Sequence, residues 1–331
     1  MAATSLKAVL VKHKPEKGND GVIKRLLHSL VGGFELPRSK KTIHASELTK
    51  QEVEFCPRKY ILLDEYDVKE KTAHIDTAQE ITYAEGRMKQ ALFNEVWLRD
   101  RMWGGWRCRA CKKAVEFDSY AGAMAKLNTS KDHTCILEYV EMRCTDPVAG
   151  HSGGIDALVR TREGEKLRLV ECKIMGTDQF KGLKGPLGEH KARTQLYLRT
   201  LAKSTQPWAK QVSTEEASVL YMMRGHGMKD ENGDMSPFKE YTVRRDHKGV
   251  AEYVARAHAV TLARREPERG APCGVCKTMM TPQAQACPVA KQCFGSKHPA
   301  TITWMRDGKP AHTLPSIEWI ADGSQVLPRQ D

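Results

Sequence analysis

No run of about eighteen apolar residues, the length a membrane-crossing helix needs, occurs in the chain of 331 residues. The opening stretch MAATSLKAVLVKHKPEK lacks the long apolar core of a secretory signal peptide, so a cytoplasmic location and no membrane partner are expected. There is no internal repeat and no long low-complexity tract. The phosphate-cradling pattern G-x-x-x-x-G-K-[ST] is also missing, which sets aside a P-loop motor. What remains is the composition of a globular protein: 40% apolar residues and a mean hydropathy of −0.54, with chain enough for one large core or two modest ones. The formal charge of +12 suits a polyanion-binding surface but equally suits plain solubility, so it decides nothing alone. The ten cysteines say more. In a reducing compartment a disulfide framework is not expected, and their spacing is of the metal-binding kind.

The stretch Gly153–Lys173, GGIDALVRTREGEKLRLVECK, reads as two alternating strands joined at Glu163-Gly164. A turn symmetric about that dipeptide pairs residues whose numbers add to 327, so Asp156 faces Glu171. Cross-strand partners lie roughly 5 Å apart at Cβ, and Lys173, two residues on, shares their face. Two opposed carboxylates repel, and a divalent cation is the simplest reason to hold them together. Cys172 points to the other face and is expected to be buried rather than reactive.

Three cysteine groups stand out. Cys108-x2-Cys111 lies in WGGWRCRACKKAVEF, and KDHTC supplies His133 and Cys135 some twenty residues later. Together they make a tetrahedral, closed zinc site, with Cys144 an alternative to His133. The segment 103–144 that holds them reads as an insertion. Near the C-terminus come Cys273-x2-Cys276 and Cys287-x5-Cys293, which as a set of four suit zinc or an iron–sulfur cluster.

Along the chain, 1–42 is an extension with a short amphipathic helix, GVIKRLLHSLVGG. Ser46 reads as an N-cap, and 83–99 has helical periodicity with Met88, Leu92 and Val96 on one stripe. IMGTDQFKGLKGPLGEH reads as an exposed loop, EHKARTQLYLRTLAKS as a helix, and ASVLYMMRG and FKEYTVRRD as strands. HKGVAEYVARAHAVTLARR is a further helix, and 296–331 a small β appendage with an Asp-Gly turn.

The spacing D-x14-E-x-K resembles that of the PD-(D/E)XK nucleases. The run Cys56-Pro57-Arg58-Lys59-Tyr60 resembles the opening of their RecB-like branch that carries an iron–sulfur cluster, among them the AddB nuclease domain and the CRISPR adaptation nuclease. The resemblance covers about residues 43 to 295. It implies an α/β fold with a restriction-endonuclease-like core, a mixed central β-sheet flanked by helices, stapled at 271–295 by a 4Fe–4S cluster. Its ligands would be Cys56, Cys276, Cys287 and Cys293, with Cys273 an alternative to Cys276; Ala284 stands where the family has a further cysteine. Mg2+ or Mn2+ would be held by Asp156, Glu171 and the Cys172 backbone carbonyl, with Lys173 orienting or deprotonating the attacking water. Gln90 stands where the family has a metal-binding histidine, and Glu141 is a further carboxylate near the site. Arg193, Gln195 and Tyr197 fall at the family's Gln-x-x-x-Tyr motif, imperfectly, as DNA contacts. The activity implied is a metal-dependent deoxyribonuclease, an exonuclease on single- or double-stranded DNA with ends. It would act in recombination, repair or phage replication, in a bacterial or phage-infected cell, beside a helicase or recombination partner. The alternative is a non-catalytic nucleic-acid-binding or complex-assembly subunit that keeps the fold and the metal centres.

Overall fold

The computed structural model describes residues 42–50, 55–66, 77–117, 119–127, 135–225, 228–229, 235–265, 276, 281–285, 287–295, 303–306, 309–310 and 326–327. The expected N-terminal helix at 21–33, His133, Cys273 and the turn at 307–308 lie outside them. The chain divides into two units, 1–38 with 70–89 and 39–69 with 90–331. What is described of the first is residues 77–89 of one helix; the second carries every other described element.

The second unit opens with β1 (Ile43–His44) and a single turn, α1 (Ala45–Leu48). His44, not Ser46, is the N-cap residue, because the buried pair Ala45 and Leu48 starts the turn earlier than the serine suggested. Cys56 is the N-cap residue of α2 (Pro57–Glu65), and Pro57 sits where a missing N–H is no loss. Next, α3 (Thr77–Leu92) runs into a π-helical turn, Phe93–Trp97, closed by the Leu98 N–H donating to the Phe93 carbonyl at 3.0 Å. There follow β2 (Met102–Cys108), β3 (Ala114–Phe117), α4 (Tyr120–Leu127), β4 (Leu137–Val140), β5 (Met142–Asp146), β6 (His151–Ile155), β7 (Ala157–Val159) and β8 (Arg168–Met175). Helices α5 (Thr177–Gly182) and α6 (Gly188–Lys203) lead to β9 (Glu216–Met223). A short pair, β10 (Met228–Lys229) and β11 (Met235–Ser236), precedes β12 (Phe238–Arg244) and α7 (Ala251–Arg265). The turns α8 (Pro282–Gln285) and α9 (Ala290–Gly295) and the strands β13 (Thr303–Arg306), β14 (Lys309–Pro310) and β15 (Val326–Leu327) complete the described chain.

The architecture is α/β, with mixed sheets flanked by helices. The large sheet has the order β12-β9-β8-β7-β2-β3, with β4 also on β2. Within it β8 and β9 are parallel and the other pairs antiparallel. A parallel pair cannot be joined by a tight turn, and α5 and α6 make the crossover. A second sheet has the order β1-β6-β5. One residue, Asp156, separates β6 from β7, so the chain passes from one sheet to the other at that bend.

Leu196, Leu198 and Leu201 of α6 form one core with Ile155, Leu158, Leu169 and, from α7, Val254, Ala257 and Val260. Each leucine so buried stabilises the fold by roughly 2 kcal/mol. A second core joins Met102, Trp106, Cys108, Cys135 and Leu137 to Ala157, Val170 and Cys172 of the hairpin. The segment expected as an insertion is therefore built into the fold: β2 pairs with β7 and β5 with β6. The Gly- and Lys-rich stretch expected as a loop contains α5. Its Phe180 is buried beside Met175, Val219 and Tyr221, and the Lys239 ammonium donates to the carbonyls of Phe180 at 2.8 Å and Leu183 at 3.0 Å. Among the described residues no helix is long and apolar enough to cross a membrane.

Candidate active site

The hairpin turns over Arg162–Glu165, the Glu165 N–H donating to the Arg162 carbonyl at 3.3 Å. Gly164 takes φ 77°, where a side chain would be strained. The partners are Ala157↔Val170, Leu158↔Leu169 and Val159↔Arg168, the symmetric register, which sets Asp156 against Glu171. Since β8 alternates, Glu171 and Lys173 come to one face while Cys172 is buried on the other.

The polar groups close on one another. The Lys173 ammonium lies 2.6 Å from Glu171 Oε1, 3.3 Å from Asp156 Oδ2 and 2.9 Å from the Cys172 carbonyl. The Cys172 N–H donates to Asp156 Oδ2 at 2.8 Å. From α6, Arg193 Nη1 donates to Glu171 Oε1 at 3.1 Å. Glu171 is 2% exposed, so both cations are needed to offset the cost of burying its charge. Two carboxylates and a backbone carbonyl converging on a cation are the hard-oxygen donor set of Mg2+ or Mn2+, and here the ammonium stands in for the ion. The residues present fit such a metal.

Burial, then the Glu171 charge, pushes the Asp156 carboxyl up to about 6 against the pull of Lys173. For Lys173, burial acts downward, but Asp156 and Glu171 outweigh it and hold the ammonium's pKa above its ordinary value. Burial, then Lys173 and Arg193, push His190 down to about 3, so it is neutral against the Tyr221 hydroxyl, 2.9 Å from its Nδ1.

Gly153 and Gly154 explain how the site is hemmed in. A Cβ on Gly153 would strike the Tyr197 ring on the core side, and one on Gly154 would strike the Glu141 carboxylate on the site side. Glu141 as a residue is exposed at the rim. Its carboxylate end is nonetheless tucked over Gly154, and that desolvation, then Asp156, raises its pKa. Gln90, expected at the metal, instead donates its amide to Glu141 Oε1 at 3.3 Å and reaches the site through that carboxylate. Of the expected DNA contacts, Arg193 faces Glu171. Gln195 is buried with its amide on the Arg244 carbonyl at 3.1 Å, and Tyr197 is buried in the core. These two face inward because α6 is covered on almost every side.

The sequence reading missed Asn94. It is 3% exposed, sits in the π-helical turn, and donates its amide to the Asp156 carbonyl at 3.2 Å. A polar residue at i+4 from Gln90 was the available signal, since the two share a helix face.

Cys108, Cys111 and Cys135 offer sulfurs that all lie within 4.8 Å of one another. Burial, then the neighbouring Cys108 and Cys111 thiols, pushes Cys135 up to about 11. Cys144 does not belong to them: it lies in the other core, its Sγ 3.7 Å from the Gly153 carbonyl. Of the C-terminal set, Cys287 and Cys293 pack with Val289 against Leu62 and Leu63 of α2, and Arg58 Nη2 donates to the Cys293 carbonyl at 3.4 Å. No protein-family model matches the chain, and no curated protein matches it in sequence.

Proposed function

We propose that the chain is a metal-dependent deoxyribonuclease of the RecB-like PD-(D/E)XK kind, acting as an exonuclease in recombination, repair or phage replication. One observation carries this reading: the hairpin register sets Asp156, Glu171 and Lys173 on one face, with the Cys172 carbonyl among them. A purely structural sheet has no use for two opposed acids in a place this buried.

Asp156, Glu171 and the Cys172 carbonyl would hold Mg2+ or Mn2+. When bound, the ion supplies charge neutralisation at the phosphate and a more acidic water. Lys173, held protonated by its two acids, acts as a fixed positive charge that donates hydrogen bonds to a phosphate oxygen or to the attacking water. It is not the base. Glu141, with its raised pKa at the rim, is the carboxylate placed to accept a proton. Arg193 and Asn94 hold Glu171 and the Asp156 backbone in place.

The same reading assigns a 4Fe–4S cluster to Cys56, Cys276, Cys287 and Cys293, with Cys273 an alternative to Cys276. What supports it is the packing of α2, whose N-cap residue is Cys56, on the segment of Cys287 and Cys293. DNA with ends is the proposed substrate and a helicase or recombination protein the proposed partner.

The test is cleavage of end-labelled linear and circular DNA, single- and double-stranded, with Mg2+ or Mn2+. Wild type should degrade linear DNA, and Lys173→Ala, checked for folding by circular dichroism, should be slower by roughly 10²–10⁴-fold. Undiminished cleavage by the variant removes this site from the chemistry. Binding without cleavage by both proteins would favour the non-catalytic subunit.

A further inference from the structure

A second chemistry lies at the far end of β2. The chain turns back directly after Cys108: the Lys112 N–H donates to the Cys108 carbonyl at 3.0 Å, and the Cys108 N–H to the Lys113 carbonyl at 2.8 Å. Lys112 takes φ 62°, and among the described residues it is the one non-glycine in the left-handed region, at a cost of about 1 kcal/mol. This knuckle holds Cys108 and Cys111 together. Strand register brings the third sulfur. Cys108 pairs with Leu137, and the Arg109 N–H donating to the Ile136 carbonyl at 2.9 Å continues that ladder. Extending that register sets Cys135 against Ala110, which lies between the other two cysteines in the chain.

With Zn–S bonds of about 2.3 Å, the sulfurs of a tetrahedral site lie roughly 3.8 Å apart. Three sulfurs already within 4.8 Å of one another need little movement to share an ion. Soft thiolates in this number select zinc over hard cations. The knuckle is also tied to the hairpin site. Arg109, between its cysteines, donates from Nη2 to Glu95 Oε2 at 2.8 Å. Glu95 Oε1 accepts the Tyr139 N–H at 3.1 Å. Glu95 stands in the π-helical turn next to Asn94, whose amide holds the Asp156 carbonyl.

We propose that Cys108, Cys111 and Cys135 bind one structural Zn2+, and that the knuckle it closes positions Asp156 through Arg109, Glu95 and Asn94. The zinc site stands apart from the nuclease reading; the positioning of Asp156 rests on it. His133, the fourth ligand expected from the sequence, lies outside the described residues, and the site rests on the three cysteines.

The experiment uses the full chain, purified without chelator. Elemental analysis should find a zinc that a mercurial releases into a chromogenic chelator, which requires no variant to fold. Replacement by Co2+ should give thiolate-to-cobalt charge-transfer absorption. Cys111→Ser should lose the metal and Cys144→Ser keep it. Wild type without zinc, or equal zinc in Cys111→Ser, overturns the site. For the positioning role, Arg109→Ala is compared with wild type, both loaded with zinc, by Mn2+ titration followed by electron paramagnetic resonance. About tenfold weaker Mn2+ binding is expected, and unchanged binding overturns the role. If wild type carries the zinc but neither binds Mn2+ nor cuts DNA, the zinc site stands, and the positioning role falls with the nuclease reading.

Discussion

The hairpin and the cysteine knuckle sit on the same sheet, β7 and β8 carrying one and β2 and β4 the other, yet they handle charge in opposite ways. At the hairpin, Lys173 and Arg193 neutralise the acids from within the chain. That site is electrically balanced without an ion, so the fold would not depend on the metal proposed there. At the knuckle the three thiols face one another, and burial with thiol neighbours holds Cys135 protonated. Only a cation would make three thiolates stable together, so the zinc proposed there would contribute folding energy. Exchangeable catalytic ions belong with the first arrangement and permanent structural ions with the second.

The sharpest way to break that contrast is to remove one side of the hairpin's compensation. Glu171→Ala removes the buried carboxylate shared by the partly buried Lys173 and Arg193 and should cost roughly 3–5 kcal/mol in urea unfolding. Arg109→Ala at the knuckle breaks a largely exposed pair with Glu95 and should cost about 1 kcal/mol or less. Equal costs would mean that the hairpin's charges are solvated.

Acid sharpens the comparison further. His151, its Nε2 2.9 Å from Thr200 Oγ1, is pushed by burial down to about 4. A base whose folded pKa lies below its unfolded value contributes stability above pH 6.5 that is lost as pH falls toward 4, and His190 acts the same way. Asp156 has the opposite sign: its folded pKa is raised to about 6, so the fold gains relative stability as pH falls from 6 toward 3.8. Asp156→Asn removes the opposing contribution. Its stability should fall more steeply than that of wild type across that window, by roughly 3 kcal/mol. Parallel profiles from chemical denaturation at stepped pH would show that Asp156 is not desolvated.

A further effect concerns space. Gly153→Ala drives a methyl into the Tyr197 ring behind the site and should cost about 1–3 kcal/mol by thermal melting. No loss would mean that the ring yields freely.

The hairpin was legible in the sequence because a symmetric Glu-Gly turn and a period of two leave one register that buries Leu158 and Leu169 together. The knuckle was legible as spacing, but Cys144 was not separable from His133 as a ligand, since β5 carries that cysteine into another core. Helix α6 misled for the converse reason. Gln195 and Tyr197 look like surface contacts on an amphipathic helix, and this one is enclosed between sheets, so its polar residues serve the interior. Asn94 stands i+4 from Gln90, but nothing local says that this helix face turns toward the Asp156 carbonyl. Turn chemistry and alternation are local and survive reading in one dimension; which side of a helix is covered is decided by partners distant in sequence.

The most direct measurement is Mn2+ binding to wild type and Asp156→Asn, followed by electron paramagnetic resonance. Asparagine can still accept the Cys172 N–H, so the fold is kept while one charged ligand is lost. Wild type should bind Mn2+, and the variant should bind it at least tenfold more weakly. The same affinity in both would place any metal site somewhere other than between Asp156 and Glu171.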